Sequence, residues 1–504
     1  MSLARIYSRA LVGIDAPQVV VEVHLSGGLP SLSLVGLPET AVKESKDRVR
    51  SAILNSDYEF PAKRITINLS PADLPKEGGR YDLAIALGIL VASEQVSATL
   101  IEQHEFIGEL ALGGDLQPVP GVLPSALACA KAQRILVLPV QNSDEAALCS
   151  KSEMRSASKL SQVVAYLQGL QELAIITANT DAAVATPHHL DLSEVRGQSQ
   201  ARRALEIAAA GGHNLLFIGP PGTGKTMLAS RLPSILPPMS EKDALESASV
   251  YSISNQFQGL QKQWRLRPFR APHHTASGVA LVGGGTSPKP GEISLAHGGV
   301  LFLDELPEFS RKVLDVLREP LENGKIVISR ANRTLTFPAR FQLIAAMNPC
   351  PCGYFGDASG RCRCTQDQIR RYQGQTSGPL LDRIDLHIDV PPISPSLLQK
   401  APTAENSAAV QARVIAARNI QLERQACINA DLSPKLREQV CALSDEDGQW
   451  FLNAIERLDL SARGFHRLLK IGRTIADLDN KENIQRKHLL EALSYRALDR
   501  YQAR

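Results

Sequence analysis

Gly219-Pro220-Pro221-Gly222-Thr223-Gly224-Lys225-Thr226 carries the pattern G-x-x-x-x-G-K-[ST] in full. Such a run holds phosphates. Its glycines let successive backbone N–H groups turn inward, its lysine reaches the β- and γ-phosphates, and its last hydroxyl coordinates magnesium. The flanks suit this chemistry: the apolar run Leu215–Ile218 predicts a buried strand, and Met227–Leu236 predicts a helix whose N-terminus adds positive potential at the phosphates. A second apolar strand, Val300–Leu303, ends in Asp304-Glu305. Asp304 is suited to hold magnesium, directly or through water, and Glu305 to polarise an attacking water. A third strand, Phe341–Met347, ends in Asn348. Asn348 is either a water-orienting side chain lying between the other two strand ends or a turn former ahead of Pro349. ATP and Mg²⁺ are the ligands this set predicts. Farther on, Arg383 follows a helix and precedes the predicted strand Ile384–Val390. It is placed either to reach a neighbouring subunit's γ-phosphate or to pair at the surface with Asp382 or Asp385.

Cys350-Pro351-Cys352 and Cys362-Arg363-Cys364 place four thiols close together, joined by the turn-forming run Gly353–Arg361. Tetrahedral zinc takes four such thiolates at about 2.3 Å. The alternatives are free thiols or a redox pair. His387, His273 and His274 read as hydrogen-bonding or packing residues rather than ligands. A hairpin pattern lies between the second and third apolar strands. Ile326–Arg330 and Thr334–Phe337 are β-branched runs separated by Ala331-Asn332-Arg333. Its tip offers Arg330, Asn332 and Arg333, with Lys325 at the base. These suit contacts to a nucleic-acid backbone, or else form a solvated turn.

The elements that must position these residues fall into stretches of different composition. Residues 1–176 alternate β-branched runs (Val19–Val23, Ile65–Asn68, Ile135–Leu138) with helical ones (Glu39–Asn55, Asp82–Ala92, Ser125–Lys131), which predicts an α/β domain. Residues 177–192 are polar and Ala/Thr-rich and read as a linker. Residues 193–394 form a second α/β module. Residues 395–504 lack convincing strands and are helical over Ser407–Ala426, Pro434–Val440, Glu446–Arg457 and Arg463–Leu478. The net charge of +3 does not select a polyanionic partner, so any DNA binding must come from local basic clusters. Eight cysteines in 504 residues are too few for a disulfide scaffold. Asp15 and Pro17 interrupt any secretory core, and no apolar run of about 20 residues exists, so the expected location is the cytoplasm.

The strings Val195-Arg196-Gly197-Gln198, Gly212-His213-Asn214, Arg270–Thr275, Gly291–His297 and Asn348–Gly353 resemble the magnesium-chelatase-like branch of AAA+ ATPases. With the N-terminal region included, the chain is most similar to the ComM/YifB family, bacterial proteins linked to natural transformation and DNA branch migration. The resemblance implies an N-terminal α/β domain like the Lon protease domain and S5-type modules, a P-loop AAA+ core with a parallel sheet, and a helical C-terminal lid. It implies that Asn348 is sensor 1, that Arg383 is a finger acting in trans, and that sensor 2 is Arg463, with Arg467 and Arg473 as alternatives on the same helix. An insertion over about Pro268–Ala296 and a pore-facing hairpin at Lys325–Phe337 follow from it as well. So do a homo-hexameric ring, helicase activity, and DNA, single-stranded or branched, as the partner. In the Lon-like domain, Arg80 or Tyr81 stands at the serine position and Leu123 or Pro124 at the lysine position, so no Ser–Lys protease is expected. The competing readings are a magnesium-chelatase motor subunit and an ATP-dependent chaperone.

Overall fold

The computed structural model describes residues 3–36, 40–177, 190–254, 256–257, 263–285, 288–330, 333–356, 360–392, 404–458 and 460–496. The chain divides into two compact units, Met1–Ala185 with Leu245–Trp264, and Thr186–Ala244 with Arg265–Arg504. Leu245–Trp264, expected within the ATPase module, thus groups with the N-terminal unit. Most of the expected linker lies outside the described residues. Its last residue, Leu192, is buried and opens a short helical turn over Leu192–Glu194.

In the first unit, Gln18–Ser26 and Arg64–Ser70 bury alternate residues: Val19, Val21, Val23 and Leu25 on one, Ile65, Ile67 and Leu69 on the other. A period of two with β-branched residues makes half-buried strands. The sheet order is Leu3–Arg9, Gln18–Ser26, Arg64–Ser70, Ser31–Val35, with the first two pairings antiparallel and the last parallel. The helix Asp82–Ala92 is apolar around its circumference beyond its first residue and is buried on all sides. A second sheet is ordered Ala174–Ile175, Met154–Ala157, Ile135–Pro139, His104–Phe106. At the positions compared with the Lon dyad, Arg80 and Tyr81 are buried, and Arg80 Nη2 donates to Ser125 Oγ at 3.0 Å. Leu123 and Pro124 sit in the first turn of the helix Val122–Lys131.

The second unit is built on a five-stranded sheet: β1 (Leu215–Ile218), β2 (Phe269–Arg270), β3 (Val300–Leu303), β4 (Gln342–Met347) and β5 (Leu386–Asp389). The order is β2-β3-β4-β1-β5, and every neighbouring pair is parallel. Every residue of β1, β3 and β4 is buried, as a parallel sheet covered on both faces requires. The helices Ser199–Gly211 and Lys225–Ile235 share one core with the C-terminal helices: Ala208, Leu228, Ile344, Val414 and Ile475 belong to the same buried cluster. Those C-terminal helices are Ser407–Gln425, Pro434–Val440, Asp445–Arg457, Ala462–Leu478 and Arg486–Ser494. Asn406, Ser433, Ser444 and Ser461 set the first four starts, each side chain accepting a backbone N–H three residues on.

The insertion region contains β2, the short helices Gly278–Val282 and Glu292–Leu295, and a small ladder of Gly283–Gly284 on Lys289–Pro290. The hairpin strands are longer than expected, Lys325–Arg330 and Arg333–Pro338. Arg333 is not a turn residue: it faces Arg330 across the last rung. Among the described residues, no helix is long and apolar enough to cross a membrane.

Candidate functional site

The sheet order brings three strand ends together. β4 lies between β3 and β1, so Asn348 emerges between Asp304-Glu305 and the P-loop. The loop leaves β1 at Gly219, where a Cβ would fall 2.3 Å from the carbonyl oxygen of Val390, so only glycine passes there. Gly222 and Gly224 adopt φ of +75° and +86°. Left-handed glycines of this kind turn backbone N–H groups toward a phosphate. Thr223 Oγ1 donates to the carbonyl of Pro220 at 3.0 Å, tying the loop across itself. Pro221 and Gly222 form its exposed or open part.

Lys225 opens the helix behind the loop. Its Nζ donates to the carbonyls of Gly219 (2.7 Å) and Pro220 (2.8 Å) and to Asn348 Oδ1 (3.1 Å). Burial pulls the ammonium below its usual pKa, and the charges of Asp304 and Glu305 oppose that pull. Thr226 Oγ1 donates to Asp304 Oδ2 at 2.6 Å, and the other carboxylate oxygen accepts the N–H of Glu305 at 2.9 Å. A hydroxyl and a carboxylate side by side are the hard oxygen donors that Mg²⁺ takes, leaving its other positions to water and phosphate. Glu305 has φ +51°, and its Oε2 lies 3.1 Å from His274 Nδ1.

Arg383 follows the short helix Gly378–Leu381. Its guanidinium pairs with Glu322 and with the carbonyl of Pro379, not with the neighbouring aspartates. Asp382 instead lies 3.9 Å from Arg463, and Asp385 lies 3.5 Å from His213 and 3.6 Å from Arg467. Burial works against the charge on Asp385, but the His213 bond and the nearby positive charges hold its carboxyl below the usual range. The three candidate sensor arginines differ sharply. Arg463 is 69% exposed at its side chain, Arg467 15% and Arg473 1%. Arg473 is occupied inside the lid by Asp477 and by the carbonyls of Lys481 and Glu482.

The four cysteines gather as their spacing suggests. The Sγ atoms are 3.3 Å apart for Cys350 and Cys352, 3.8 Å for Cys350 and Cys362, and 3.7 Å for Cys352 and Cys362. All four, Cys364 included, lie within 4.8 Å of one another. A tetrahedral ion with ligands at about 2.3 Å puts its sulfurs roughly 3.8 Å apart, so the donor set fits a thiophilic metal. Burial raises the Cys350 thiol pKa. At Cys352 burial acts in the same upward sense, but backbone bonds at Tyr354 and Arg363 outweigh it and lower the thiol.

On the hairpin, Ile326, Ile328 and Phe337 are buried, while Lys325, Val327 and Ser329 are exposed. Arg330 and Arg333 close the ladder; their side chains, and Asn332 altogether, lie outside the described residues.

Several residues at the site were given no role at the nucleotide from the sequence, although His274 was expected to hydrogen-bond or pack. Gln198, at φ +46°, donates from Nε2 to the carbonyl of Thr223 at 2.6 Å and so steadies the P-loop. Asn214 joins three elements: its Oδ1 accepts the N–H of Leu343 and its Nδ2 donates to the carbonyl of Arg383, each at 2.9 Å, beside the entry to β1. His213 reaches the lid through Thr474 Oγ1 at 2.8 Å. His274 meets Glu305. Three of the strings that carry the family resemblance contain these four residues, which was the available signal.

Three family models match the chain. The magnesium chelatase subunit ChlI model matches residues 191–398, the subunit ChlI of Mg-chelatase model residues 21–142, and the ChlI C-terminal model residues 404–496. The protein YifB of Escherichia coli (strain K12) is 54% identical over 502 residues, covering 99% of this chain and 98% of its own. Competence protein ComM of Haemophilus influenzae is 54% identical over 504 residues, with the same coverage. This chain belongs to the ComM/YifB family. Within that magnesium-chelatase-like family the resemblance to chelatases themselves is narrower: the magnesium-chelatase 38 kDa subunit of Acidiphilium rubrum is 30% identical over 30% of this chain. The ComM/YifB likeness spans both compact units.

Proposed function

We propose that this chain is an ATP-driven, ring-forming DNA translocase that promotes branch migration in homologous recombination and natural transformation, working in the cytoplasm. The observation that carries this is the full-length similarity to a protein named for competence, together with a P-loop, Asp304-Glu305 and Asn348 gathered on adjacent strand ends.

The P-loop N–H groups and Lys225 bind the ATP phosphates. Thr226 and Asp304 would hold Mg²⁺, which would supply charge neutralisation to the bound phosphates. Glu305 polarises the attacking water, and Asn348, already bonded to Lys225, orients it beside the γ-phosphate. Arg383 stabilises charge on the γ-phosphate of a neighbouring subunit, and Arg463 or Arg467 reports the nucleotide to the lid. Ring assembly as a homo-hexamer supplies that neighbour. The hairpin, with Lys325, Arg330, Asn332 and Arg333, contacts the DNA backbone without reading sequence. Cys350, Cys352, Cys362 and Cys364 hold zinc. The test is the ATP hydrolysis rate of the purified protein with and without single-stranded DNA: stimulation supports a DNA motor, and an unchanged rate counts against it.

The second reading is a magnesium-chelatase motor subunit, favoured by the ChlI models. The chelatase subunits of Acidiphilium rubrum and Olisthodiscus luteus match 30% and 53% of this chain at 30% and 21% identity, whereas the competence protein matches 99% of it at 54% identity, so the DNA reading stands first.

A further inference from the structure

The cysteine cluster touches the ATP site at two points. The first is Gly353, which follows the second thiol. It closes a tight turn by donating its N–H to the carbonyl of Cys350 at 2.9 Å, with φ +83°. A Cβ there would fall 2.5 Å from Cδ and 2.8 Å from Cγ of Pro221, and 3.8 Å from Cγ of Asn348. The backbone of the ligand turn is therefore packed directly on the tip of the P-loop. The second point is Asn348, two residues ahead of Cys350, whose Oδ1 accepts from Lys225 Nζ at 3.1 Å.

The far end of the cluster is anchored as well. One residue after Cys364, Thr365 and Gln368 form a reciprocal capping box on the helix Gln366–Gln373. Gln373 Nε2 at the end of that helix returns to the carbonyl of Pro349 at 2.9 Å. A metal held by the four thiolates thus closes a ring that runs from Asn348 through both Cys-x-Cys pairs and the helix back to Pro349. Without it, the two Cys-x-Cys pairs lose their common ligand, and local bonds such as Gly353 N–H to the Cys350 carbonyl (2.9 Å) and Phe355 N–H to Cys350 Sγ (3.3 Å) no longer tie the turn against Pro221 to the second pair.

We propose that metal binding at Cys350, Cys352, Cys362 and Cys364 fixes the P-loop in its phosphate-binding conformation, so that nucleotide affinity depends on the metal. The proposal rests on the zinc reading above and adds to it a coupling to the ATP site through Gly353–Pro221 and Asn348–Lys225. The size of the effect follows from populations. If loss of the metal leaves about a tenth of the molecules with a competent P-loop, apparent affinity falls about tenfold.

The test uses the full chain and fluorescent mant-ADP as probe. Metal content comes from elemental analysis, and the dissociation constant is measured as purified, after stripping with a thiolate-competing chelator, and after zinc is restored. Gly353→Ala keeps all four thiols but presses on Pro221. It should retain about one metal per chain yet bind mant-ADP roughly tenfold more weakly. Pro221→Ala removes the contact from the other side and should make affinity less sensitive to stripping. Protein purified without any thiolate-bound metal overturns the zinc reading and the coupling with it. Protein that holds metal, but whose affinity is the same after stripping and in Gly353→Ala, overturns the coupling and leaves the zinc reading standing. A stripped protein that unfolds leaves the decision to Gly353→Ala, which needs no stripping.

Discussion

Arg473→Ala should cost stability, not nucleotide sensing. The helix Ala462–Leu478 carries three arginines, of which the family resemblance put Arg463 first as sensor 2, and Arg473 is the one with an internal task. Its Nε lies 3.1 Å from Asp477 Oδ1, its Nη1 2.5 Å from the carbonyl of Glu482, and its Nη2 bonds the carbonyl of Lys481. Asp477 is not stranded by the substitution, because Arg424 Nη1 at 2.7 Å and Asn429 Nδ2 at 2.8 Å remain. The cost is therefore two hydrogen bonds made by a buried, charged guanidinium, at about 1.5–3 kcal/mol each, or roughly 4 kcal/mol together. At about 2–4 °C per kcal/mol for a unit of this size, the melting temperature should fall by roughly 12 °C. Arg467→Ala should shift it by less than about 3 °C, since Asp385 keeps His213 and the N–H of Asn214, the latter at 3.1 Å. Its ATP turnover should drop instead. Scanning calorimetry and a steady-state ATPase assay on both variants separate the two effects. Arg473→Ala melting like wild type while losing turnover would show that the side chain reaches nucleotide and that the reasoning is wrong.

Other substitutions address the hydrolytic groups and the core. Arg383→Ala should keep nucleotide binding and lose most turnover, and mixing it with Lys225→Ala subunits should restore some activity; mixed assemblies with no recovery would assign Arg383 to its own chain's site. His274 Nδ1 lies against one carboxylate oxygen of Glu305 in a partly exposed contact, and freeing that oxygen by His274→Ala should raise unstimulated kcat by up to about fivefold with KM for ATP unchanged. A loss comparable to that of Glu305→Gln would instead place His274 within the hydrolytic apparatus. His387 is buried on β5, and burial, followed by the charges of Arg496 and Arg467, pulls its pKa down to about 3. The unfolded chain takes up that proton first, so the stability tied to the neutral ring is whole above about pH 6.5 and is lost at about 1.4 kcal/mol per pH unit as pH falls toward 3. Chemical denaturation at pH 7 and pH 5 should show a shallower loss in His387→Leu than in the parent, and equal losses would contradict this.

The nucleotide site was legible because its parts are local in sequence. Eight contiguous residues define the P-loop, and two apolar runs ending in polar residues define the other strand ends. Asn348 was expected between the other two strand ends, and the sheet order β3-β4-β1 sets it there. β2 is only Phe269–Arg270, too short for any periodicity to reveal. The long-range pairs were hidden: Arg383 meets Glu322 rather than its neighbours Asp382 and Asp385, and His274 meets Glu305, because tertiary packing and not proximity in sequence chooses the partner. The hairpin was recognised from its β-branched runs, but its turn was set one residue too long, since the Arg330–Arg333 rung extends the ladder. The arginines of the lid helix share one sequence context, and only burial distinguishes them.

The central claim is that ATP hydrolysis here moves branched DNA, and a labelled four-way junction tests it most directly. Purified protein with ATP and Mg²⁺ should convert the junction to duplex arms. Lys225→Ala should fail for want of nucleotide binding, and Glu305→Gln should fail although it binds ATP. Arg330→Ala with Arg333→Ala should hydrolyse ATP but act weakly on junctions of every sequence, with a flatter dependence of DNA binding on salt. A protein that hydrolyses ATP at the same rate with and without DNA, and leaves the junction intact, would contradict the account.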